Sequence, residues 1–211
     1  MTTGSPRPGG PAGPFALAPL RYPEDALAPV ISSRTLKLHH GRHHRAYMDR
    51  LNELVEDSPL GSLQLEDVVK RAASVPEWTA IFDNAAQAWN HDFYWRSLSP
   101  RGGRPAGRLK ERIDADFGGY ASFAARFVEA AGARFGSGWV WLVAHRGRLE
   151  IVSTANADTP IAHEMVCLLA LDVWEHAYYL DYHDRRSDHA AAVIEHRLDW
   201  GFAAENLAGV S

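Results

Sequence analysis

The residue types able to do chemistry gather in three short stretches. In Leu38-His39-His40-Gly41-Arg42-His43-His44-Arg45-Ala46-Tyr47, the residues His39, His43 and Tyr47 stand four apart and share one face of a helix. In Asn84-Ala85-Ala86-Gln87-Ala88-Trp89-Asn90-His91, the pair Gln87 and His91 repeats that spacing. Asp172-Val173-Trp174-Glu175-His176 adds a carboxylate and an imidazole where an apolar run ends. Imidazoles with one carboxylate form a borderline-to-hard donor set that suits iron, manganese, zinc or cobalt, and the lack of thiolate argues against copper(I) and iron–sulfur chemistry. A single histidine on an apolar helix face is more often a satisfied core residue than a ligand. Three, each in a Trp- or Tyr-rich segment, are harder to dismiss, yet spacing leaves both readings open, because residues so far apart need a fold to meet.

The elements that must bring them together follow from periodicity. From about Ile31 to Asp57 the pattern predicts a long helix, capped by Ser32 or Ser33, with Leu36, Tyr47, Leu51 and Leu54 at apolar positions. Gly41 interrupts it, and since a mid-helix Gly costs about 1 kcal/mol relative to Ala, it marks a bulge or a close packing. Further helices are expected over about Val68 to Ala73 and Glu77 to Ser97, making a helical hairpin. Ser99 to Gly107 holds clustered Pro and Gly and reads as a boundary. Beyond it come helices at about Leu109 to Phe117 and Gly119 to Ala131. The runs Trp139 to Ala144 and Leu149 to Thr154 flank His145-Arg146-Gly147-Arg148 as a strand hairpin. A third strand spans Met165 to Asp172, and helix-like sequence runs from about Ala177 to Leu207.

The expected fold is α+β: an N-terminal antiparallel helical hairpin lobe plus a C-terminal lobe with a three-stranded antiparallel sheet and surrounding helices. The expected division is a disordered tail over 1–14, the hairpin domain over 15–98, a linker over 99–107 and a metal-binding domain over 108–211. The Gly- and Pro-rich start fits neither a secretory signal nor an anchor, and no later run reaches the ~18 apolar residues of a spanning helix. A cytoplasmic protein with no membrane association is therefore expected.

Composition supports a folded chain with a small partner. The 211 residues are 46% hydrophobic and include seven Trp, enough for a substantial core. A formal net charge of −4 gives no excess of basic residues for nucleic acid or an anionic membrane. The one cysteine, Cys167, lies in an apolar run and reads as a small buried hydrophobe.

Four blocks carry a resemblance: His39 to Tyr47, Asn84 to Trp95, Phe135 to Val143 (Phe-Gly-Ser-Gly-Trp-Val-Trp-Leu-Val) and Asp172 to Tyr179 (Asp-Val-Trp-Glu-His-Ala-Tyr-Tyr). Together, in order and at compatible spacing from about Phe15 to Ala208, they resemble the iron/manganese superoxide dismutase family. The last block is the most specific of the four. The resemblance implies a superoxide dismutase in which His39, His91, Asp172 and His176 hold one iron or manganese ion per subunit, with solvent as a fifth ligand. It further implies that His43 and Tyr47 line the substrate funnel and that Gln87 hydrogen-bonds the solvent ligand. Tyr94, Trp139, Trp141 and Trp174 are implied as an aromatic wall. Glu175 is expected to bridge to His176 of the other subunit of a homodimer, and Tyr179 to reach the other subunit's His43; pairing of dimers into tetramers stays open.

Within that family, iron-type members place the solvent-binding Gln at the position of Gln87, whereas most manganese-type members have Gly there and supply Gln from the loop matching Asn156-Ala157-Asp158. Gln87 with Ala157 therefore favours iron, while Asp158 and the Asp184-Arg185-Arg186 run have a manganese-type flavour and leave use of either metal open. His189 stands where the family usually has a Tyr, and Asp184 and Ser187 replace a usual Asn and Pro. Arg42, Arg185 and Arg186 are either a source of positive potential at the funnel or solvated surface charges. The remaining histidines, His40 and His44 among them, are expected to pack or to face solvent, pointing away from the site on a regular helix. Two rivals are a zinc hydrolase, which needs more room than a tight aromatic wall leaves, and a catalytically silent relative, which would have lost ligands.

Overall fold

A computed structural model describes residues 13–210. The expected tail thus lies outside the described residues except for Gly13 and Pro14; next to these, Phe15 is tied to the first lobe through hydrogen bonds of its backbone N–H and C=O with the Asn52 amide.

The predicted first helix is three consecutive pieces: α1 (Ser33–Leu38), a π-helical turn (His39–His44) and α2 (Arg45–Val55). Ser32 is the N-cap, its Oγ accepting from the Thr35 N–H at 3.2 Å, a contact that contributes about 1 kcal/mol. The bulge expected at Gly41 is this π turn. Close packing is not its cause, because a Cβ on Gly41 would meet nothing within 4 Å. After α3 (Leu65–Ala72), a 3₁₀ turn at Pro76–Trp78 leads into α4 (Thr79–Ser97). Residues of α4 are buried on most of its faces, since α2 and α3 pack on it from one lobe and a strand and the last helix from the other. A helix so enclosed can carry Gln87, Asn90 and His91 into a dry interior.

The Pro/Gly segment ends where α5 (Gly107–Phe117) begins, and α6 (Tyr120–Ala133) follows. Strands β1 (Gly138–His145), β2 (Arg148–Ala155) and β3 (Val166–Asp172) form an antiparallel sheet in the order β2-β1-β3. The central strand β1 is buried on both faces from Gly138 to Ala144, while β2 at the edge is largely half-buried or exposed. Arg146 and Gly147 both take positive φ, 46° and 78°, which is what a two-residue turn matching strand twist requires. In the β1/β3 register Trp139 stands opposite Asp172, so those two side chains leave the sheet on the same face.

The single helical run expected from Ala177 to Leu207 is instead three helices: α7 (Tyr179–Tyr182), α8 (Arg186–His196) and α9 (Trp200–Ala208). His183 breaks the first join with φ 53° and ψ −123°. The second break comes where Leu198 bridges to Leu98 and Asp199 caps α9, its Oδ1 accepting from the Phe202 N–H. Helical periodicity survives each break, which is why sequence alone merged them.

Candidate metal centre

Four side chains from both lobes converge. His39 comes from the start of the π turn, His91 from the middle of α4, Asp172 from the last residue of β3, and His176 from the 3₁₀ turn that follows. One potential ligand atom from each lies within 4.8 Å of all the others. Asp172 Oδ2 is 3.0 Å from His39 Nε2, 3.6 Å from His91 Nε2 and 3.3 Å from His176 Nε2. Nitrogen and oxygen ligands bonded at about 2.0–2.2 Å to one ion stand no more than about 4.4 Å apart, so the cluster is close to the size that one ion imposes.

Protonation decides whether an ion fits. His91 Nδ1 is 2.7 Å from the Gln87 carbonyl, to which it donates; its Nε2 then carries a lone pair in the neutral ring. That lone pair faces a carboxylate oxygen, and the buried Nε2 of His91 has no hydrogen-bond partner among the described residues. Two acceptors opposed in a dry site repel unless a cation lies between them, and burying such atoms unpaired is costly. Burial also pushes the His39 pKa down to about 4 and that of His91 well below its ordinary value. Neutral imidazoles are what a metal needs. For Asp172, burial works upward but is outweighed by the His176 and His39 imidazoles, which hold the carboxyl below the usual carboxylate range. The residues present therefore fit a metal ion.

The surrounding layer is aromatic. Trp139 stands edge-on to His91 at 5.0 Å between ring centroids, and Tyr94 tilts over His39 at 5.7 Å. Trp174 stacks on His176 at 5.5 Å. Trp141 sits one layer back, against Trp139 and Phe93, with its Nε1–H donating to Thr154 Oγ1. Trp139 Nε1–H donates to Gln87 Oε1 at 3.2 Å, and Gln87 Nε2 lies 3.5 Å from the Tyr47 hydroxyl. Tyr47 lies beside His91, and its pKa is raised by burial and by the Asp172 charge. His43, exposed, stacks on His176 at 4.3 Å. Glu175 and Tyr179 face solvent around the same turn.

Iron/manganese superoxide dismutase domain models match the chain twice: the alpha-hairpin domain over residues 14–99 and the C-terminal domain over residues 105–206. The chain belongs to the iron/manganese superoxide dismutase family. It is 48% identical over 195 residues, covering 92% of this chain and 97% of the relative, to a superoxide dismutase [Fe] of Synechococcus elongatus. A superoxide dismutase [Mn/Fe] of Rickettsia conorii is 45% identical over 196 residues, 92% of this chain and 93% of the relative. A superoxide dismutase [Fe] of Legionella pneumophila is 46% identical over 195 residues, 92% and 98%. The helical hairpin and the three-stranded antiparallel sheet with its helices are the two halves of that family's fold.

One side chain lies elsewhere than the sequence suggested. His44 is fully buried and packs on His91 instead of facing away from the site. Its position depends on the π turn, which a regular helix would not provide. His189 is also fully buried, against Tyr178 and Tyr182. Arg186 is anchored to the Tyr178 hydroxyl and to the carbonyls of Arg134 and Gly136, and Arg185 pairs with Asp188. A cavity of about 970 Å³ opens between α3, α4 and the start of β3, and none of the four converging residues lines it. A metal centre acting on a small anion needs no large cavity.

Proposed function

We infer that this chain is a superoxide dismutase, converting two superoxide ions and two protons to dioxygen and hydrogen peroxide with one iron or manganese ion per subunit. The observation that carries this reading is the convergence of three imidazoles on one carboxylate oxygen, with the His91 Nε2 lone pair unpartnered among the described residues. When bound, the ion supplies a centre that alternates between the 3+ and 2+ states, and His39, His91, Asp172 and His176 hold it. Three neutral imidazoles and one carboxylate leave a net positive charge in either state, which attracts a small anion.

The remaining roles belong to the chain's own groups. Gln87, its amide oriented by Trp139, presents Nε2 toward the Tyr47 hydroxyl, and this pair holds a proton donor at the edge of the metal site. His43 lies at the mouth, stacked on His176, and relays protons from solvent. Tyr94, Trp139 and Trp174 exclude water and larger reductants, with Trp141 backing Trp139, so the site admits little beyond diatomic anions.

Gln87 together with Ala157 supports iron as the native metal. Glu175 and Tyr179 join two copies into a homodimer, supported by the exposure of Tyr179 (49%) and Leu180 (45%) beside the metal turn. The reading extends to a protein acting in the cytoplasm as an antioxidant, with the lobes divided near residues 99–107; no helix among the described residues is long and apolar enough to cross a membrane. The deciding experiment strips the metal, reloads with iron or manganese separately, and measures dismutation and metal content. Activity with iron alone supports the Gln87/Ala157 lean, and activity with both makes the enzyme tolerant of either. Stoichiometric metal without dismutation in any form would overturn the reading.

A further inference from the structure

His44 follows His39 by five residues. On a helix of 3.6 residues per turn that spacing separates two side chains by ~140°. The turn at His39–His44 is π-helical, with the Arg45 N–H donating to the His40 carbonyl, and the wider turn brings residues five apart toward one side. His44 consequently lies fully buried against α4, its ring stacked on His91 with 5.3 Å between centroids and 16° between planes.

The hydrogen bonds of His44 fix its tautomer. Trp95 Nε1–H donates to His44 Nδ1 at 3.2 Å, so the proton of the neutral ring is on Nε2, which donates to the Ala88 carbonyl at 3.1 Å. Asp92 Oδ1, 3.7 Å from the same nitrogen, is beyond hydrogen-bond reach. Burial holds the imidazole neutral, its pKa pushed down to about 3. Trp95, anchored at its Nε1, stands edge-on to His39 at 4.7 Å.

We propose that the His44–Trp95 hydrogen bond is a brace that positions two of the metal-holding imidazoles at once, with His44 backing His91 and Trp95 backing His39. It deepens the metal-centre reading and rests on it. Neither residue touches the ion or the substrate, so both are positioning residues. Partners one layer out from a metal set the ring planes of its ligands, and losing one typically weakens metal affinity 10- to 100-fold, by the order of magnitude known for such layers.

Four variants test the brace in the full-length protein: His44→Phe keeps a stacked ring but no hydrogen bond, Trp95→Phe removes the donor, the double variant does both, and His44→Gln can accept from Trp95 and donate to Ala88. Each apoprotein is reloaded with manganese(II) or iron(II), the metal dissociation constant is read by chelator competition, and the electron paramagnetic resonance spectrum of the loaded protein is recorded. Both single phenylalanine variants should weaken retention about tenfold or more and shift the spectrum in the same direction. The double variant should be no worse than His44→Phe alone, since that change already removes the Trp95 bond along with the bond to the Ala88 carbonyl, and His44→Gln should recover most of the loss. Native retention and spectra in the single variants, additive losses in the double, or a lowered melting temperature with an unchanged spectrum would each overturn the brace. Should His44→Phe not fold, Trp95→Phe decides by the same two readouts. His91→Ala, run alongside, separates the levels: if it too keeps the metal, the metal-centre reading has failed and the brace falls with it.

Discussion

Trp139 Nε1–H and Gln87 Oε1 are joined by a buried hydrogen bond of 3.2 Å between β1 and α4. The indole can only donate, so it fixes which end of the amide is oxygen and turns the amide nitrogen toward Tyr47. Because Gln87 is not one of the four converging residues, Gln87→Ala should keep the metal. Its dismutation rate should fall at least about tenfold, with a shifted reduction potential, as for other groups one layer from a metal. Trp139→Phe should give a smaller loss of the same kind. Steady-state rates with metal analysis and potentiometry check this, and an unchanged potential in Gln87→Ala would count against it.

Stability should fall on the acid side of neutrality. Burial is the main cause that pushes the pKa values of His44 and His189 down to about 3 and about 4. In the unfolded chain these imidazoles take up protons below about pH 6.5, while in the folded protein they stay neutral. The unfolded state then binds more protons, so stability is full above about pH 6.5 and is lost as pH falls from there toward 4. Asp172, held below the usual carboxylate range, adds a loss under about pH 4. Urea midpoints across pH measure the slope, and His189→Phe should flatten part of it; an unaltered slope would remove His189 from the account.

Among the described residues neither ring nitrogen of His189 has a hydrogen-bond partner of good geometry, although the ring lies in the core against Tyr178 and Tyr182. An unsatisfied buried polar group costs about 1–3 kcal/mol. His189→Phe should therefore raise stability at pH 7 by about 1 kcal/mol without changing metal content, as chemical denaturation of the loaded protein would show. Destabilisation by that substitution would mean that the imidazole has a partner worth keeping.

A Cβ at Gly41 meets open space, and its φ is not positive. Gly41→Ala should leave the π turn in place and stabilise the protein by about 0.5–1 kcal/mol through reduced freedom of the unfolded chain. A loss of stability or of bound metal would instead show that the glycine itself maintains the turn.

The Ser32 N–H donates to Asp181 Oδ2 at 2.9 Å, and the Tyr182 hydroxyl donates to the Val30 carbonyl at 2.8 Å. These bonds tie the start of the helix that carries His39 to the segment just after His176. Asp181→Ala should cost about 1–2 kcal/mol and weaken metal retention in proportion, whereas a distant surface pair such as Arg50–Glu53, exposed at both ends, should be worth under about 1 kcal/mol when broken. Equal effects from the two would argue that the bond does not link the lobes.

The sequence by itself determined which donors exist and which elements carry them. Histidines and a carboxylate at helical and strand-end spacing do not change type on folding, and strong periodicity fixed the hairpin of helices, the three strands and the polar ladder of His39, His43 and Tyr47. Tertiary structure decided what periodicity cannot encode. Only the β1/β3 register sets Trp139 beside Asp172, and only packing of α4 between both lobes brings His91 to His176. The breaks at His183 and Arg197 were hidden because apolar spacing continues through them, while backbone conformation and a bridge from Leu98 to Leu198 end the helices. His44 was hidden for a related reason. One residue of extra winding in a π turn changes which side chains face inward, and no apolar pattern records that residue; the contacts with α4 do.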